Sequence, residues 1–345
     1  MAVERSSVTT TIDYNKDGKQ VGYLKVPNSR NDSAWGAVLI PITVIQNGKG
    51  PTIYLNAGSH GGEYEGTVCL IKLAQELEAK DIQGRVIIIP SLNLPAVMAG
   101  TRLSPIDNKD MNRVFPGQWD GTITQVIAHY IHETILPLCD VVLDLHSGGY
   151  SLDLVPYISM HYLESEDQMK RTLSALRAFN APFAMVMEEF SGSGLLDYAV
   201  ERMGKVFLCA ELGGGGRLSM HSLAVAEVGV RNLLKHYDLI EGDIVKWGML
   251  ETSTRFMEIP EPENYHMVTT NGIYESFFDL GQQVETGQRL GQVHFPEQPQ
   301  RPPEIVRAQR SGTLIGIRAP SQVSSGDCVA VIAVEAQHKL AQPQV

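Results

Sequence analysis

Hydrophobic and polar positions alternate in two different ways along the first 240 residues. The first 50 residues contain two strand-like runs, VGYLKV and GAVLIPITVI, separated by polar turns. From residue 51 onward, short apolar runs alternate with longer stretches whose apolar residues recur at helical spacing. The apolar runs are TIYLNAG, RVIIIPSLN, DVVLDLHSGG and KVFLCAELGGGG, and the helical stretches are EGTVCLIKLAQELEAK, TQVIAHYIHETILPL, EDQMKRTLSALRAF and VAEVGVRNLLKHY. This pattern predicts an α/β fold with a mixed, largely parallel sheet flanked by helices.

The pattern changes near residue 240, where we predict a boundary between an α/β domain (1–240, with N-terminal strands in 1–50) and an all-β domain (241–345). The second part is rich in Gly, Pro, Thr and Val and contains a faint repeat, with NGIYESFFDLGQQVETGQRLGQV paralleling SGTLIGIRAPSQVSSGDCVAVIA. The repeat resembles the two halves of a lipoyl- or biotinyl-like β-sandwich. Because the hairpin lysine that such carriers modify is missing, we expect a structural domain whose loops narrow the mouth of the functional site.

Composition and charge exclude several classes of partner. The chain has 28 basic and 39 acidic residues among 345, a net charge of −11, and no basic cluster interrupts the acidic balance. We therefore expect no nucleic-acid or anionic-membrane partner. The N-terminus MAVERSSVTTTIDYNKDG has no apolar core typical of a signal peptide, and no segment approaches the ~18 apolar residues of a membrane span. We expect the four scattered cysteines to be buried thiols in a reducing cytoplasm, rather than disulfides or metal ligands: Cys69, Cys139, Cys209 and Cys328.

Polar residues that can bind metal or move protons follow several of the predicted strands. His60 and Glu63 come after TIYLNAG, Arg102 comes after RVIIIPSLN, and His146 and Glu211 end two further apolar runs. In open α/β sheets, ligands bind outside the carboxyl ends of the strands. The positions therefore predict one functional site built from these side chains.

Two histidines and a glutamate have the composition of a zinc site. His60 and Glu63 lie three apart in GSHGGEYEG, where the first turn of a helix would place both on one face. HxxE alone is more often a solvated helix start, but His146 supplies the third ligand that catalytic zinc needs, with one position left for water. We expect one zinc ion per chain. Asp144, two residues before His146, lies on the same strand face and either orients that ring or caps a nearby loop.

Glu211 is the candidate proton carrier. It ends an apolar strand and precedes four glycines, so its carboxylate would be partly desolvated, with a raised pKa suited to proton transfer. The alternative is a buried glutamate satisfied by backbone amides. The glycine run has no lysine, serine or threonine of a phosphate loop after it, which favours a slim loop that admits substrate over a nucleotide site.

A loop rich in Gly, Pro, Asp and Asn presents two arginines beside this site. Arg102, Asn112 and Arg113 fall in GTRLSPIDNKDMNRVFPG, and they suit an anionic substrate and an oxyanion, although each arginine alone would be an ordinary surface charge. His129 and His132 lie on an amphipathic helical stretch without a carboxylate partner. We expect neither to be a ligand.

The order HxxE, R…DxNRxFPG, DLH and AELGGG resembles the succinylglutamate desuccinylase/aspartoacylase family, which is related to zinc carboxypeptidases. The resemblance covers residues 50–240 and extends to the β-sandwich tail, and it makes residues 1–240 the catalytic domain. It implies that His60, Glu63 and His146 bind zinc, that Glu211 is the general base and acid, that Arg102 polarises the scissile carbonyl, and that Asn112 and Arg113 hold the substrate carboxylate. One departure is Gly62, which stands where HGDE-type relatives carry an acidic residue.

The resemblance implies a cytoplasmic hydrolase that removes the acyl group from the nitrogen of a small amino acid. SRNDSAWGAVLIPITVIQNGKGP and SGGYSLDLVPY are most similar to members that deacetylate an acetylated diamino acid in ectoine breakdown. No recognisable motif offers an arginine for a second substrate carboxylate. Asp107, Asp110, Glu188 and Glu189 could instead meet a cationic side chain.

Three alternatives to this function stay open. A desuccinylase or aspartoacylase would share the catalytic residues but need a further cation for the acyl carboxylate. A carboxypeptidase would need an open cleft, and a non-catalytic binding protein would not need all four catalytic positions. A homo-oligomer is compatible with any of these.

Overall fold

The computed structural model describes residues 6–188, 192–246 and 254–336. These residues form eighteen strands, six α-helices and a few short 3-10 or π turns. The strands are β1 (Gly18–Pro27), β2 (Ala37–Asn47), β3 (Thr52–Ala57), β4 (Gly84–Ile89), β5 (Val141–His146), β6 (Leu152–Leu154), β7 (Tyr157–His161), β8 (Phe183–Met187), β9 (Val206–Glu211), β10 (Arg255–Glu258), β11 (Tyr265–Met267), β12 (Gly272–Ser276), β13 (Gln283–Val284), β14 (Arg289–His294), β15 (Glu304–Arg307), β16 (Gly312–Arg318), β17 (Gln322–Val323) and β18 (Cys328–Glu335). The helices are α1 (Tyr64–Glu76), α2 (Leu94–Ala99), α3 (Ile123–Tyr130), α4 (Glu166–Phe179), α5 (Leu196–Glu201) and α6 (Met220–His236).

A mixed sheet of fourteen strands organises the molecule. Its main path runs β1-β2-β4-β3-β5-β9-β7-β8-β10-β18-β16-β13. Strands β4, β3, β5 and β9 are parallel to one another, whereas β7 is antiparallel to β9 and starts a second parallel group with β8 and β10. The predicted mixed, largely parallel sheet flanked by helices is confirmed.

Both faces of the central strands are buried because most residues along each strand are apolar on both faces. On one face, Ile53 and Leu55 pack with residues of α1, α4 and α6. On the other face, Tyr54 and Val142 pack with residues of α3, α5 and β1. Two of the helices begin at a serine cap: Ser165 accepts a hydrogen bond from Gln168 N at the start of α4, and Ser219 accepts one from Ser222 N at the start of α6.

The strands and helices predicted from hydrophobic periodicity are present, but five further elements were not predicted from the sequence. They are β6, β7, β8, α2 and α5. All five are only three to six residues long, too short to display a period. Two of them, β7 and β8, nevertheless extend the sheet beyond β9 and build one wall of the cavity described below.

The C-terminal region is all-β, as predicted, and its internal repeat is visible in the strands. β12–β13–β14 and β16–β17–β18 repeat the order of a strand, a two-residue strand and a strand, and each short strand pairs with the other half. A separate four-stranded sheet has the order β15-β14-β12-β17. The main sheet crosses the boundary proposed at residue 240, because β10 pairs with β8 on one side and β18 on the other.

The described cysteines are all free thiols, two of them buried and two partly buried. Over residues 6–188, 192–246 and 254–336, no helix combines the length and apolar character needed to cross a bilayer.

Candidate active site

A cavity of about 390 Å³ opens at the carboxyl ends of β5 and β9, the edge at which open α/β sheets bind ligands. Seven of the eight predicted site residues line it: His60, Glu63, Arg102, Asn112, Arg113, His146 and Glu211. The C-terminal region contributes Ile259 and Tyr265 to the same wall. The tail therefore does reach the cavity, while its effect on substrate size stays a prediction.

His60 and Glu63 lie in the tight turn between β3 and α1. The prediction that they share the first turn of the helix was wrong: α1 begins one residue after Glu63, whose backbone is extended at φ −114° and ψ 95°. The two side chains still meet, with His60 Nδ1 2.8 Å from Glu63 Oε1. Glycine makes this turn possible, because a Cβ at Gly61 would lie 1.9 Å from the carbonyl oxygen of Ala96.

A chain of buried hydrogen bonds holds the His146 ring in place. Its Nδ1 lies 2.8 Å from Glu63 Oε2, and its Nε2 lies 2.8 Å from Asp144 Oδ2. Asp144 in turn accepts a 2.7 Å bond from Asn56 Nδ2, and the Tyr54 hydroxyl donates to Asn56 Oδ1 at 2.9 Å. The hydrogen bonds of Asp144 among the described residues thus run to the His146 ring and to the Asn56 amide; that it orients a zinc ligand stays a prediction.

His60 is held in a similar way by Asp110, a loop residue that was expected from the sequence to meet a cationic side chain of the substrate. His60 Nε2 lies 2.9 Å from Asp110 Oδ1, and the second oxygen of Asp110 pairs with Arg102 at 3.0 Å. Each histidine thus turns Nδ1 toward Glu63 and Nε2 toward a carboxylate outside the centre. A proton on Nε2 leaves the Nδ1 lone pair facing the space that Glu63 also faces.

These three residues fit a zinc ion. Ligand atoms of His60, Glu63 and His146 all lie within 4.8 Å of one another, and all three residues are buried. Two imidazole nitrogens and a carboxylate are the donors of many catalytic zinc sites, which keep one position open. When both imidazoles are neutral, the carboxylates of Glu63, Asp110 and Asp144 give the site a negative charge. A divalent cation would balance that charge.

The pKa values reflect the same charge arrangement. Burial alone would raise the pKa of Glu63, but the neighbouring His146 and His60 lower it to about 2. Burial alone would lower the pKa of each histidine, whereas the surrounding carboxylates raise the pKa of both above the ordinary range. The carboxylate of Glu63 is therefore ionised at neutral pH.

Glu211 has the environment of a proton carrier. It ends β9 in register with His146, and its Oε2 is buried without a hydrogen-bond partner among the described residues. Burial raises the pKa of Glu211 to about 7; the Glu63 carboxylate adds to this rise, and His146 opposes it. A carboxyl group that titrates near pH 7 can both accept and return a proton under physiological conditions.

The loop that carries Arg102 and Arg113, residues 100–117, is called the arginine loop and lies against the cavity. Its arginine and asparagine side chains have different partners. Arg102 has 56% of its side chain exposed and is paired with Asp110. Arg113 is exposed and donates to the carbonyl oxygen of Asn112 at 2.6 Å. The side-chain oxygen of Asn112 accepts a hydrogen bond from Leu196 N at 2.8 Å, which docks the loop on the start of α5.

Two of the four acidic residues that were expected to meet a cationic side chain of the substrate do not line the cavity. Asp107 binds the backbone and hydroxyl of Thr124 at 2.9 and 2.8 Å and is absent from the cavity wall, so its assignment was wrong. Asp110 is occupied by His60 and Arg102, as described above. Glu188 lines the cavity but is exposed, and Glu189 lies outside the described residues.

Asp197 is a cavity residue that sequence reasoning missed. It lies in the first turn of α5, a six-residue helix, and shares the cavity wall with Cys209 and Glu211. The DYAVE segment is too short to show helical periodicity, and nothing in its spacing separates this aspartate from a surface charge.

Among the described residues, neither His129 nor His132 belongs to a group that could hold a metal ion. The expectation that His132 lacks a carboxylate partner was wrong, because its Nε2 lies 3.6 Å from Glu133 Oε1; that neither histidine is a ligand stays a prediction.

Comparisons with known proteins agree with this geometry. Residues 49–237 match the succinylglutamate desuccinylase/aspartoacylase catalytic domain family. Over 328 residues, 95% of both chains, the sequence is 44% identical to the N-alpha-acetyl-L-2,4-diaminobutyric acid deacetylase of Halomonas elongata.

Solved structures of other proteins are similar over nearly the whole chain. A succinylglutamate desuccinylase/aspartoacylase from Rhodobacter sphaeroides is 40% identical with a TM-score of 0.93, covering 96% of this chain and 100% of that one. The product-bound ectoine utilization protein EutE (DoeB) from Ruegeria pomeroyi is 43% identical with a TM-score of 0.92 and the same coverage.

Proposed function

Since the chain belongs to the succinylglutamate desuccinylase/aspartoacylase family, we propose that it is a zinc-dependent deacylase that hydrolyses Nα-acetyl-L-2,4-diaminobutyrate to diaminobutyrate and acetate. The observation that carries this proposal is the convergence of the His60, Glu63 and His146 group with Glu211 on one cavity, in a chain closely similar to a deacetylase of that substrate. The proposal places the enzyme in ectoine degradation.

We assign one zinc ion per chain to His60, Glu63 and His146. When bound there, zinc supplies a positive charge that lowers the pKa of a water molecule and polarises the acyl carbonyl. Asp144 and Asp110 hold the two imidazole rings so that Nδ1 of each faces inward.

Glu211 moves the proton in the proposed reaction. Its unpartnered Oε2 accepts a proton from the attacking water, and the same oxygen then donates that proton to the nitrogen of the leaving amine. A pKa of about 7 allows both steps, because neither protonation state of Glu211 is strongly disfavoured.

Arg102 and Arg113 serve the negative charges of the substrate. We assign Arg102 to the oxyanion that forms on the acyl carbonyl, since Arg102 lines the cavity and pairs with Asp110, which also contacts His60. We assign Arg113 to the α-carboxylate, with the amide of Asn112 beside it on the cavity wall.

The charges of the cavity favour a substrate with a cationic side chain and a neutral acyl group. The cavity has three basic side chains apart from the ligands, and two of them are already paired: Arg102 with Asp110, and His161 with Glu201 at 3.1 Å. A succinyl or aspartyl substrate brings a second carboxylate, whose burial without a partner costs several kcal/mol.

The ammonium group of diaminobutyrate would instead find carboxylates. We assign Asp197 and Glu188 to it, because both line the same cavity as Arg113. Asp197 is the better placed of the two, since it is half-buried whereas Glu188 is exposed. A charge-assisted pair in a sheltered position contributes more than an exposed one.

We propose a cytoplasmic location for this enzyme. Its described cysteines are all free thiols, as is usual where glutathione and thioredoxin keep thiols reduced. A small-molecule N-acyl amino acid is the only partner that the proposed reaction requires.

A competition assay tests the substrate. Purified enzyme receives Nα-acetyl-diaminobutyrate, N-acetyl-aspartate and N-succinyl-glutamate together, and mass spectrometry follows the three. We expect kcat/KM to favour the diaminobutyrate derivative by at least ~10²-fold. The Asp197→Asn variant should lose much of that preference, whereas Asp107→Asn, a control outside the cavity, should keep it. A preference for either dicarboxylic substrate in the wild-type protein would overturn the deacetylase assignment.

A further inference from the structure

Tyr150 connects two stretches of backbone that border the site. It lies in the turn between β5 and β6, four residues after His146, and is 49% exposed. Its ring lies between two glycines: a Cβ at Gly62 would meet ring carbons at 2.7 and 2.8 Å, and a Cβ at Gly216 would meet them at 2.3 and 2.4 Å. Its hydroxyl oxygen is 2.7 Å from that of Tyr64.

The first stretch is the ligand turn, residues 60–63, which carries two of the proposed zinc ligands. It is tied to the arginine loop by a 2.8 Å bond from Gly61 N to the carbonyl oxygen of Thr101. The Tyr150 hydroxyl lies at the same junction, 3.0 Å from where a Cβ of Gly100 would stand. The ring and the hydroxyl therefore both touch this part of the site.

The second stretch is the glycine loop, residues 213–216, which is separated from Glu211 only by Leu212. It is tied to the turn that carries Tyr150 by bonds from Gly216 N to Gly149 O at 2.8 Å and from Gly148 N to Gly213 O at 3.0 Å. The glycine loop and the end of β5 therefore behave as one unit. Two side chains of that unit reach the ligand turn: His146, whose Nδ1 lies 2.8 Å from Glu63 Oε2, and Tyr150, whose ring lies against Gly62.

We propose that Tyr150 is a positioning residue whose ring sets the distance between the ligand turn and the glycine loop. Its effect is to hold His60 and Glu63 at the spacing from His146 and Glu211 that the site needs. The inference rests on the metal site of the proposed function and extends it to a residue outside the cavity wall.

The inference also accounts for Gly62. A side chain at position 62 would overlap the Tyr150 ring, because its Cβ would lie 2.7 and 2.8 Å from ring carbons. The backbone of Gly62 is not in the left-handed region, so the absent side chain is needed for space and not for conformation. Glycine at 62 and tyrosine at 150 form a matched pair.

The first test compares Tyr150→Ala with Tyr150→Phe and with Tyr23→Ala, a control on β1 that removes an equally exposed tyrosine (50%) far from the site. Zinc affinity of the metal-free proteins is measured by competition with a chromogenic chelator. We expect Tyr150→Ala to bind zinc about 10- to 100-fold more weakly, the usual range for a residue that orients ligands. Its kcat should fall while KM stays within about twofold, and Tyr150→Phe, which keeps the ring, should remain close to wild type.

A double-mutant cycle with Gly62→Ala provides the second test. The new methyl group displaces the ring in the wild-type background, so Gly62→Ala alone should weaken zinc binding about tenfold. In the Tyr150→Ala background there is no ring to displace, so adding Gly62→Ala should change the affinity less than twofold. Gly62→Ala keeps the tyrosine, so its zinc affinity can be measured even if Tyr150→Ala fails to fold, and an affinity within twofold of wild type in this single variant would then overturn the inference.

Two other results would overturn the inference: zinc affinity and kcat within twofold of wild type in Tyr150→Ala, or an equal loss from Gly62→Ala in both backgrounds. Because zinc affinity is measured without substrate, failure to cleave the acetylated substrate would refute the proposed function and leave this test intact. Weak zinc binding in the wild-type protein itself would refute the metal site instead.

Discussion

Replacement of Glu211 by glutamine separates the cost of burying this carboxylate from its use in catalysis. Burial raises the pKa of Glu211 from 4.5 to about 7, so the folded protein prefers the protonated form more than the unfolded chain does. Each tenfold change in the protonation equilibrium is worth about 1.4 kcal/mol, so the rise in the pKa of Glu211 corresponds to about 3 kcal/mol. We use about 2–3 kcal/mol because the side chain borders an open cavity. The stability that this preference provides is complete below pH 4.5 and is lost as the pH rises through about 7.

Glutamine has the same shape and no charge at any of these pH values. In the metal-free protein, Glu211→Gln should therefore gain about 2–3 kcal/mol in free energy of unfolding relative to wild type between pH 4.5 and pH 8. Urea unfolding at several pH values measures this difference, and Glu164→Gln, an exposed glutamate, is the matched control. The zinc-loaded variant should bind metal but lose ~10²–10⁴ in kcat. A difference in stability that does not change with pH, or nearly normal turnover, would refute the reasoning.

Two further predictions concern the metal site. His60→Ala, or removal of metal by a chelator, should abolish activity and leave far-UV circular dichroism nearly unchanged, because the sheet buries its core without the ion; elemental analysis that finds no transition metal in active enzyme would contradict this. Asp144→Asn should weaken zinc binding about 10- to 100-fold, because the carboxylate that fixes His146 and accepts from Asn56 is lost; chelator competition measures the loss, and an affinity within twofold of wild type would show that Asp144 does not support the ligand.

The sequence predicted the positions of the proposed ligands well because strand ends have a simple geometry. His146 and Glu211 end parallel neighbours in register, so their side chains had to meet at one edge of the sheet. Apolar runs of six residues mark such strands clearly, and the residue that follows each run is easy to identify. The local shape of the His60 turn was harder, because glycines allow a turn whose form depends on what packs against it.

The residues that escaped prediction depend on contacts between distant segments. Asp110 orients His60 from 50 positions away, and Asn56 supports Asp144 from 88 positions away. Asp197 reaches the cavity on a helix too short to show a period. Nothing local distinguishes these side chains from surface polar residues, since their partners are brought together only by the order of the strands.

The continuity of the main sheet has a consequence for the order in which the chain can fold during synthesis. The apolar strand β8 has β10 as its outer neighbour, and β10 in turn pairs with residues 334 and 335 at the end of β18. A nascent chain that has emerged only to residue 240 would therefore expose the FAMVM edge of β8 to other nascent chains, a template for aggregation. The cover of that edge, β10, ends at residue 258, and the outer edge of β10 is covered in turn only when residues 334 and 335 of β18 have also left the ribosome, at roughly 5–20 residues per second. The tail thus protects the growing protein as well as bordering its cavity, and a fragment ending at residue 240 should need a chaperone to stay in solution.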